Sequence, residues 1–209
     1  MVPKTFEDLK SQEREARKKL IAGVARELFA RNAFREVTIR KIAQATEVSV
    51  GTIYNHYSNI DELFLEVFLE NGRQIIRLVK KTLESDSSRV LSQVCRVYVN
   101  YLNENMSFFQ MMSRFILAGE LTAKNLPKLD QTMRELLDLF EEALRIAGNR
   151  TNTRLSAHAL FSALNGIMIS YAKYPGRAAE ESREHTLCLA EIIAENFELR
   201  ESRVPVQDN

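Results

Sequence analysis

Apolar residues recur every three or four positions along most of the chain, which predicts helices and no confident strand. Residues 13–31 form the first periodic segment, and six longer segments follow between about residues 61 and 198. Residues 1–12 and 201–209 lack the pattern, so we expect a loose N-terminal arm and a flexible tail. With two short helices before residue 61, the sequence predicts an all-α chain of about nine helices.

The stretch VSVGTIYNHYSNIDEL, Val48–Leu63, departs from this regularity. Its β-branched and aromatic residues would suit a strand, but neither flank offers a partner strand. At a period of 3.6 residues, one helical face collects the apolar side chains of Val50, Ile53 and Tyr57. Thr38 and Ser49 are suitable N-caps for two short helices. The sequence therefore predicts a helix-turn-helix.

The composition is that of an ordinary globular protein, with 45% hydrophobic and 27% charged residues and only four prolines. No apolar run approaches a membrane span and no signal-like segment opens the chain, so we expect a cytoplasmic protein. Cys95 and Cys188 lie in apolar helical patterns without metal-like spacing, and we expect both to be buried.

Charge is distributed unevenly. Residues 1–60 carry eleven Lys/Arg against seven Asp/Glu, a net charge of +4, whereas the remaining residues carry eighteen against twenty-one, a net charge of −3. A basic N-terminal region on an acidic body suggests contact with a polyanion, although a solvated charged face would give similar counts.

The second short helix has the chemistry of a DNA-reading element. Gly51 and Thr52 are small enough to let the backbone approach phosphate, and Asn55 and His56 are short groups that can reach base edges. Tyrosine hydroxyls can reach phosphate oxygens, and helix N-termini favour anions. The predicted DNA-binding residues are Thr38, Arg40, Ser49, Val50, Gly51, Thr52, Tyr54, Asn55, His56 and Tyr57.

The run TIRKIAQATEVSVGTIYNHYSNIDEL, Thr38–Leu63, resembles the DNA-binding signature of the tetracycline-repressor (TetR) family, T-x-x-x-I-A-x-x-A-G-V-S-x-G-x-[IL]-Y-x-[HY]-F-x-[SN]-K-x-x-L. The resemblance extends back to about residue 15. It implies a DNA-binding domain over residues 13–60 and a helical effector-binding and dimerisation domain over residues 61–200. It also implies a homodimeric repressor of bacterial type that is associated with the nucleoid, binds a palindromic operator and is released by a small ligand.

Three positions depart from that signature. The glycine that usually ends the first helix is Ala33, and we expect Asn32 to take the left-handed conformation instead. The turn glycine is Glu47, which adds negative charge near the DNA surface. The lysine that usually begins the fourth helix is Ile60, which predicts weaker non-specific binding and a shallower salt dependence.

Aromatic residues and methionines in the C-terminal region form the core by default, but they could also line an effector cavity. Asn165 lies among apolar residues and would need a partner if buried: a ligand, a dimer mate or a backbone group. The predicted pocket comprises Tyr98, Tyr101, Phe109, Met112, Phe115, Met133, Phe140, Phe161, Asn165 and Met168. A hydrophobic or aromatic effector suits such a lining.

The last two predicted helices carry small residues and leucines, which fit either packing within one protomer or a two-fold interface. By resemblance we expect a dimer interface that includes Leu155, His158, Ser162, Leu187 and Ile192. The sequence contains no phosphate-binding loop, dinucleotide fingerprint, metal-ligand spacing or nucleophile–base pair, so we expect neither an enzyme nor a cofactor. The expected partners are double-stranded operator DNA, a small effector and a second copy. An activator, or a constitutive regulator without inducer, remains open.

Overall fold

The computed structural model describes residues 5–85, 88–118 and 126–198. These residues form nine α-helices and one short 3-10 helix (Phe34–Glu36), and none of them lies in a strand, which confirms the all-α prediction. The helices are α1 (Phe6–Arg31), α2 (Ile39–Ala45), α3 (Val50–Tyr54), α4 (Ile60–Leu83), α5 (Val90–Glu104), α6 (Met106–Ala118), α7 (Leu126–Ile146), α8 (Thr153–Tyr171) and α9 (Ala179–Glu198).

Helix α1 begins earlier than the sequence pattern indicated. The Thr5 hydroxyl accepts the backbone N–H of Asp8, and the Asp8 carboxylate accepts the backbone N–H of Thr5, both at 3.1 Å. This capping box satisfies two N–H groups that a helix start leaves unpaired. The predicted loose arm is therefore wrong for residues 6–12, which are helical although exposed. The predicted tail, residues 201–209, lies outside the described residues.

The end of α1 also differs from expectation. Asn32 has φ −120° and ψ 160°, an extended conformation and not the left-handed one. Its backbone N–H and its side-chain Nδ2 both donate to the carbonyl of Leu28, at 3.0 and 2.8 Å. The asparagine side chain thus caps the last turn directly, so no left-handed residue is needed.

The helices pack as two units. Of the described residues, the first unit comprises 5–71, 106–118 and 126–129, so the division falls within α4 between Asn71 and Gly72 and not at the predicted residues 60 and 61. Its core is built on buried side chains of α1, α2, α3 and α4, among them Ile21, Phe29, Ile42, Ile53 and Leu63. Helix α6 belongs to this unit because it packs along α1.

The second unit comprises the described residues 72–85, 88–105 and 130–198, and in it α5, α8 and α9 pack on one another. Burial raises the pKa of the Cys95 thiol to about 12. Cys188 is exposed, so the expectation that both cysteines are buried is wrong for this residue. Within the described ranges, no helix is both long and apolar enough to cross a membrane.

Gly72 lets α4 and α7 approach closely in the second unit, because an added Cβ would lie 2.6 Å from Cγ2 of Thr132. We expect Gly72→Ala to lower the free energy of unfolding by roughly 1 kcal/mol, since overpacking costs about 1–3 kcal/mol and the helix propensity of alanine offsets about 0.5–1 kcal/mol. Unfolding in urea measures the free energy of unfolding of the wild type and the variant. Gly23→Ala in α1 is the control: no atom lies within 4 Å of its added Cβ, so stability should stay or rise. Equal stability of the two variants would contradict this account.

Candidate nucleic-acid interface

Two short helices, α2 and α3, form the predicted helix-turn-helix. Both caps are those expected from the sequence: the Thr38 hydroxyl accepts the N–H of Lys41 at 3.2 Å, and the Ser49 hydroxyl accepts the N–H of Thr52 at 3.0 Å. Thr46 ends α2 by donating its hydroxyl to the carbonyl of Ile42 at 2.7 Å. Local hydrogen bonding therefore defines three of the four helix ends in this motif.

The turn between the helices contains a residue with positive φ. Glu47 has φ 55°, a left-handed conformation that glycine adopts without steric cost and that a residue with a Cβ adopts at a cost. The turn is closed by backbone hydrogen bonds from Val48 to the carbonyl of Ala43 (3.1 Å) and from Glu47 to the carbonyl of Gln44 (3.3 Å). The Glu47 side chain is exposed, which leaves its carboxylate on the surface of the turn.

Ile53 and Tyr57 fasten α3 to the core, as predicted, and only 2% of Tyr57 is exposed. The Tyr57 hydroxyl lies 3.5 Å from the backbone carbonyl of Lys18 in α1, and burial, with a smaller contribution from Glu66, raises the pKa of this phenol. The hydroxyl therefore points inward. The prediction that Tyr57 reaches a phosphate is wrong, because its whole side chain is used to hold α3 against α1.

The exposed face of α3 is shorter than predicted. Val50 was expected to pack inward, on the same face as buried Ile53, but it is 36% exposed. It is the first residue of a five-residue helix. Tyr54 is 55% exposed. The helix ends there, so Asn55 and His56 follow it in the next turn; Asn55 is exposed and His56 is half-buried.

Gly51 and Thr52 lie at the N-terminal end of this face. The Thr52 hydroxyl is 2.8 Å from the Ser49 hydroxyl, so the two side chains form one small polar surface. A Cβ added to Gly51 would meet only the Ser49 Oγ, at 3.7 Å, which is an ordinary contact. The fold itself therefore has room for a side chain at residue 51, and a constraint from outside the protein is the better explanation for the glycine.

Charged groups border the motif on both sides. Arg40 and Lys41 are exposed in the first turn of α2. Lys41 was not singled out from the sequence, although its place beside Arg40 was a readable signal. At the start of α4, Asn59 accepts the N–H of Glu62 and the Glu62 carboxylate accepts the N–H of Ser58, at 2.8 and 2.7 Å. Half-buried Ile60 is the first residue of that helix and adds no positive charge.

The pKa of His56 is lowered from its ordinary value, first by partial burial and then by the positive charges of Arg14, Lys18 and Arg17. These three cations belong to α1, which places them on the side of the motif where α3 ends. His56 is therefore neutral at pH 7, and its imidazole can both donate and accept a hydrogen bond.

The residues predicted to line a pocket do not form one group. Phe109 and Met112 are buried in the first unit, whereas seven others belong to the second: Tyr98, Tyr101, Met133, Phe140, Phe161, Asn165 and Met168. The side chain of Phe115 lies outside the described part of the structure. Helical periodicity grouped these residues by chemistry alone, because it does not tell which helices share a core.

Three rings form the centre of the second unit. The ring centroids of Tyr98, Phe140 and Phe161 lie 5.3, 5.8 and 6.1 Å apart. Asn165 donates from Nδ2 to the carbonyl of Phe161 at 2.8 Å, and its amide oxygen lies 3.2 Å from the Tyr98 hydroxyl. Burial raises the pKa of that phenol. The amide of Asn165 thus has hydrogen-bond partners within its own unit. One of them is a backbone carbonyl, which is one of the alternatives that the sequence left open.

A surface groove of about 270 Å³ lies between α4 and α5 in the second unit, lined by Leu78, Arg96, Val97, Asn100, Tyr101 and Glu104. Of the predicted pocket residues, it contains Tyr101 alone, whose hydroxyl donates to Oε1 of Gln74 at 2.8 Å. Two of its charged side chains are paired with α9: Arg96 with Glu191 at 2.6 Å, and Glu104 with Arg183 at 3.2 Å.

The residues predicted for a dimer interface separate by exposure. Leu155 (69% exposed), His158 and Ser162 lie on the open face of α8, and Ile192 is exposed on α9. Leu187 is only 8% exposed and faces the core of its own protomer, so it is not available to a partner and its prediction is wrong. Ile169, 64% exposed, continues the α8 face and was missed, although its spacing from Leu155 and Ser162 is helical.

Comparison with known proteins agrees with this motif. Residues 21–67 match the N-terminal region that characterises bacterial regulatory proteins of the tetR family. An uncharacterised HTH-type transcriptional regulator of Haemophilus influenzae is 26% identical over 106 residues; the match covers 49% of this chain and about half, 51%, of that relative.

Solved structures share the fold over most of the chain. A tetR-family regulatory protein from Rhodococcus RHA1 has a TM-score of 0.71 at 18% identity, covering 86% of this chain and 95% of that one. The transcriptional regulator FadR from Bacillus subtilis, solved in complex with stearoyl-CoA, has a TM-score of 0.70 at 16% identity, covering 86% and 96%. The motif and the family match agree: residues 21–67 match the DNA-binding region of tetR-family regulatory proteins, and the chain as a whole is similar in fold to solved members of that family.

Proposed function

We propose that this protein is a transcriptional regulator that binds a palindromic operator as a homodimer and is released from it by a small ligand. The observation that carries the proposal is the surface of α3: Gly51, Thr52, Tyr54 and Asn55 form an outer face on a helix fastened by Ile53. The relatives named above are regulators and not enzymes, which supports the same class.

In this proposal α3 enters the major groove. The small residues at its N-terminal end permit close approach of the backbone, while Asn55 and Tyr54 reach base edges or phosphates. The N-terminus of α2, with Thr38 and the exposed Arg40, lies against the phosphate backbone, because helix N-termini favour anions. Tyr57 takes no part in contact and serves to orient α3.

A homodimer is supported by α8, whose open face combines apolar and small side chains. Leu155, Ser162, Gly166 and Ile169 recur at helical spacing, and a Cβ added to Gly166 would meet no atom within 4 Å. Such a face lets a second helix approach closely, and a two-fold arrangement would pair it with its own copy. A two-fold protein then reads two inverted half-sites, hence a palindrome.

A hydrophobic effector is supported by the stearoyl-CoA complex of the Bacillus subtilis regulator, which is similar in fold. The mutual contact of the three rings and the satisfied amide of Asn165 argue that these side chains are core. An activator, or a constitutive regulator without inducer, is the alternative, and it would bind the same DNA without ligand-dependent release.

The test is binding of the purified protein to DNA that flanks its own gene. We expect a sequence-specific complex with a two-fold symmetric footprint, weakened by salt and outcompeting random DNA of the same length. Absence of any preference over random DNA would rule out the regulator. Thermal-shift screening of acyl and aromatic compounds, followed by operator release, then separates an induced repressor from a constitutive one.

Replacing Glu47 with glycine should improve both stability and DNA binding. Glycine adopts the left-handed conformation without strain, which should stabilise the folded state by about 1–2 kcal/mol. The greater flexibility of glycine in the unfolded chain offsets about 0.5–1 kcal/mol of this gain. Loss of the exposed carboxylate should raise DNA affinity roughly two- to fivefold at low salt. Glu47→Gln is the matched control, since it removes the charge and keeps the strained side chain. Equal unfolding free energies for the two variants would show that the positive φ carries no strain.

Replacing Ile60 with lysine should steepen the salt dependence of DNA binding. A lysine at the first residue of α4 would add one phosphate contact, and each such contact adds roughly 0.9 to the slope of log affinity against log salt. Ile60→Gln controls for the loss of a half-buried apolar side chain without adding charge. Titration of operator binding over a range of salt concentrations measures both slopes, and an unchanged slope for the lysine variant would place residue 60 away from the DNA.

A further inference from the structure

The N-terminal half of α1 is a helix without a core to pack on. The whole segment from Thr5 to Arg17 is exposed, the first buried residue is Ile21, and the family match also begins there. The capping box at Thr5 and the ion pair between Glu13 and Arg17 hold it helical. Local bonds and not burial therefore hold these helical turns, and the exposed side chains on them are available for an external contact.

This segment joins the rest of α1 beside the end of α3. Lys18 is the residue where α1 meets the end of α3: its carbonyl lies 3.5 Å from the Tyr57 hydroxyl, and its Nζ lies 6.0 Å from the Tyr57 ring centroid. Nζ also pairs with Glu66 of α4 at 2.9 Å. Helices α1 and α4 and the turn that follows α3 thus meet at Lys18, and Arg14 lies one turn of α1 before it.

Positive and negative side chains balance in number at this place, but one of the cations has no ion pair in the described part of the chain. Arg14, one turn before Lys18, forms no ion pair or hydrogen bond within the described residues, whereas Arg17 pairs with Glu13 and Lys18 with Glu66. Burial lowers the pKa of His56, and the charges of Arg14, Lys18 and Arg17 lower it further against the opposing charge of Glu15, which is consistent with cations close to the residue that follows α3. An unpaired guanidinium beside a DNA-reading face fits a phosphate, since it can bind two phosphate oxygens at once.

We propose that the exposed N-terminal half of α1 is a second DNA-contacting element, in which Arg14 binds a backbone phosphate beside the site occupied by α3. The inference rests on the proposed function and adds to it a contact outside the helix-turn-helix. A phosphate contact positions the protein and carries no base information. It should strengthen binding to operator and to random DNA alike.

The test is Arg14→Gln, measured against operator DNA and random DNA over a range of salt concentrations. We expect a loss of affinity on the order of fivefold for both DNAs, an unchanged ratio between them, and a salt slope lower by about 0.9. Arg31→Gln is the matched control: it removes the same charge from the same helix, about 25 Å from Arg14 along the axis. That variant should bind both DNAs as the wild type does. Thermal unfolding checks that both variants are folded.

The outcomes separate the two proposals. A wild-type protein that prefers operator over random DNA, with an Arg14→Gln variant of equal affinity and slope, overturns the α1 contact and leaves the regulator intact. A loss confined to operator DNA also overturns it, because that result means a disturbed α3 and no phosphate contact. A wild-type protein without any preference for operator removes the proposed function itself.

Discussion

Replacing Gly51 with leucine should abolish specific operator binding while leaving the protein at least as stable as the wild type. The exposed first turn of α3 has no neighbour that a side chain at 51 would strike, because even the nearest atom, Ser49 Oγ, lies 3.7 Å from an added Cβ. Leucine is a better helix former than glycine, by about 0.5–1 kcal/mol. In the DNA complex, however, its side chain would fill the space through which the backbone approaches the groove.

The expected loss of operator affinity is roughly 100-fold or more. If α3 is held away from the base edges, the protein binds operator only as tightly as it binds random DNA. Gly51→Ala gives an intermediate point with a single added carbon. The two measurements are operator affinity and the free energy of unfolding, and the prediction requires them to move in opposite directions. A leucine variant that binds operator as tightly as the wild type would show that residue 51 does not face DNA.

Local signals in the sequence were sufficient for the DNA-binding motif. Thr38 and Ser49 predicted both helix starts, since a cap is a bond between a side chain and a backbone three residues away. The same kind of signal was present at Thr5 and Asp8, and it was overlooked because α1 there has no apolar stripe. A capping box predicts a helix start regardless of whether the helix is buried.

Long-range packing was not predictable from those signals. Tyr57 was assigned both an inward ring and an outward hydroxyl, and its actual partner, Lys18, lies 39 residues away in sequence. Leu187 has the helical period of its segment but faces the core, because the rotation of α9 depends on tertiary contacts. Val50 shares the phase of buried Ile53 but is exposed, because it is the first residue of a five-residue helix. The split of the aromatic residues between two units has the same cause.

In the proposed homodimer, glutamate at both Leu155 and Ile169 should separate the two protomers and weaken operator binding roughly 100-fold or more. Both side chains are largely exposed on one face of α8, so the isolated protomer tolerates the change. In a two-fold interface each protomer contributes both positions, so four carboxylates would be forced into an apolar contact. Once the protomers separate, the second half-site is no longer bound at the high effective concentration that a linked partner provides.

Sedimentation velocity measures the oligomeric state, and operator titration measures the affinity. Leu78→Glu is the control, since it places the same charge on an exposed leucine of the same unit but on α4, outside the α8 face. That variant should remain dimeric and bind operator normally. If the double variant sedimented as a dimer, the α8 face would not be the interface. If Leu78→Glu alone produced monomers, the interface would lie on the α4 side of the second unit, and the small residues of α8 would then need another explanation.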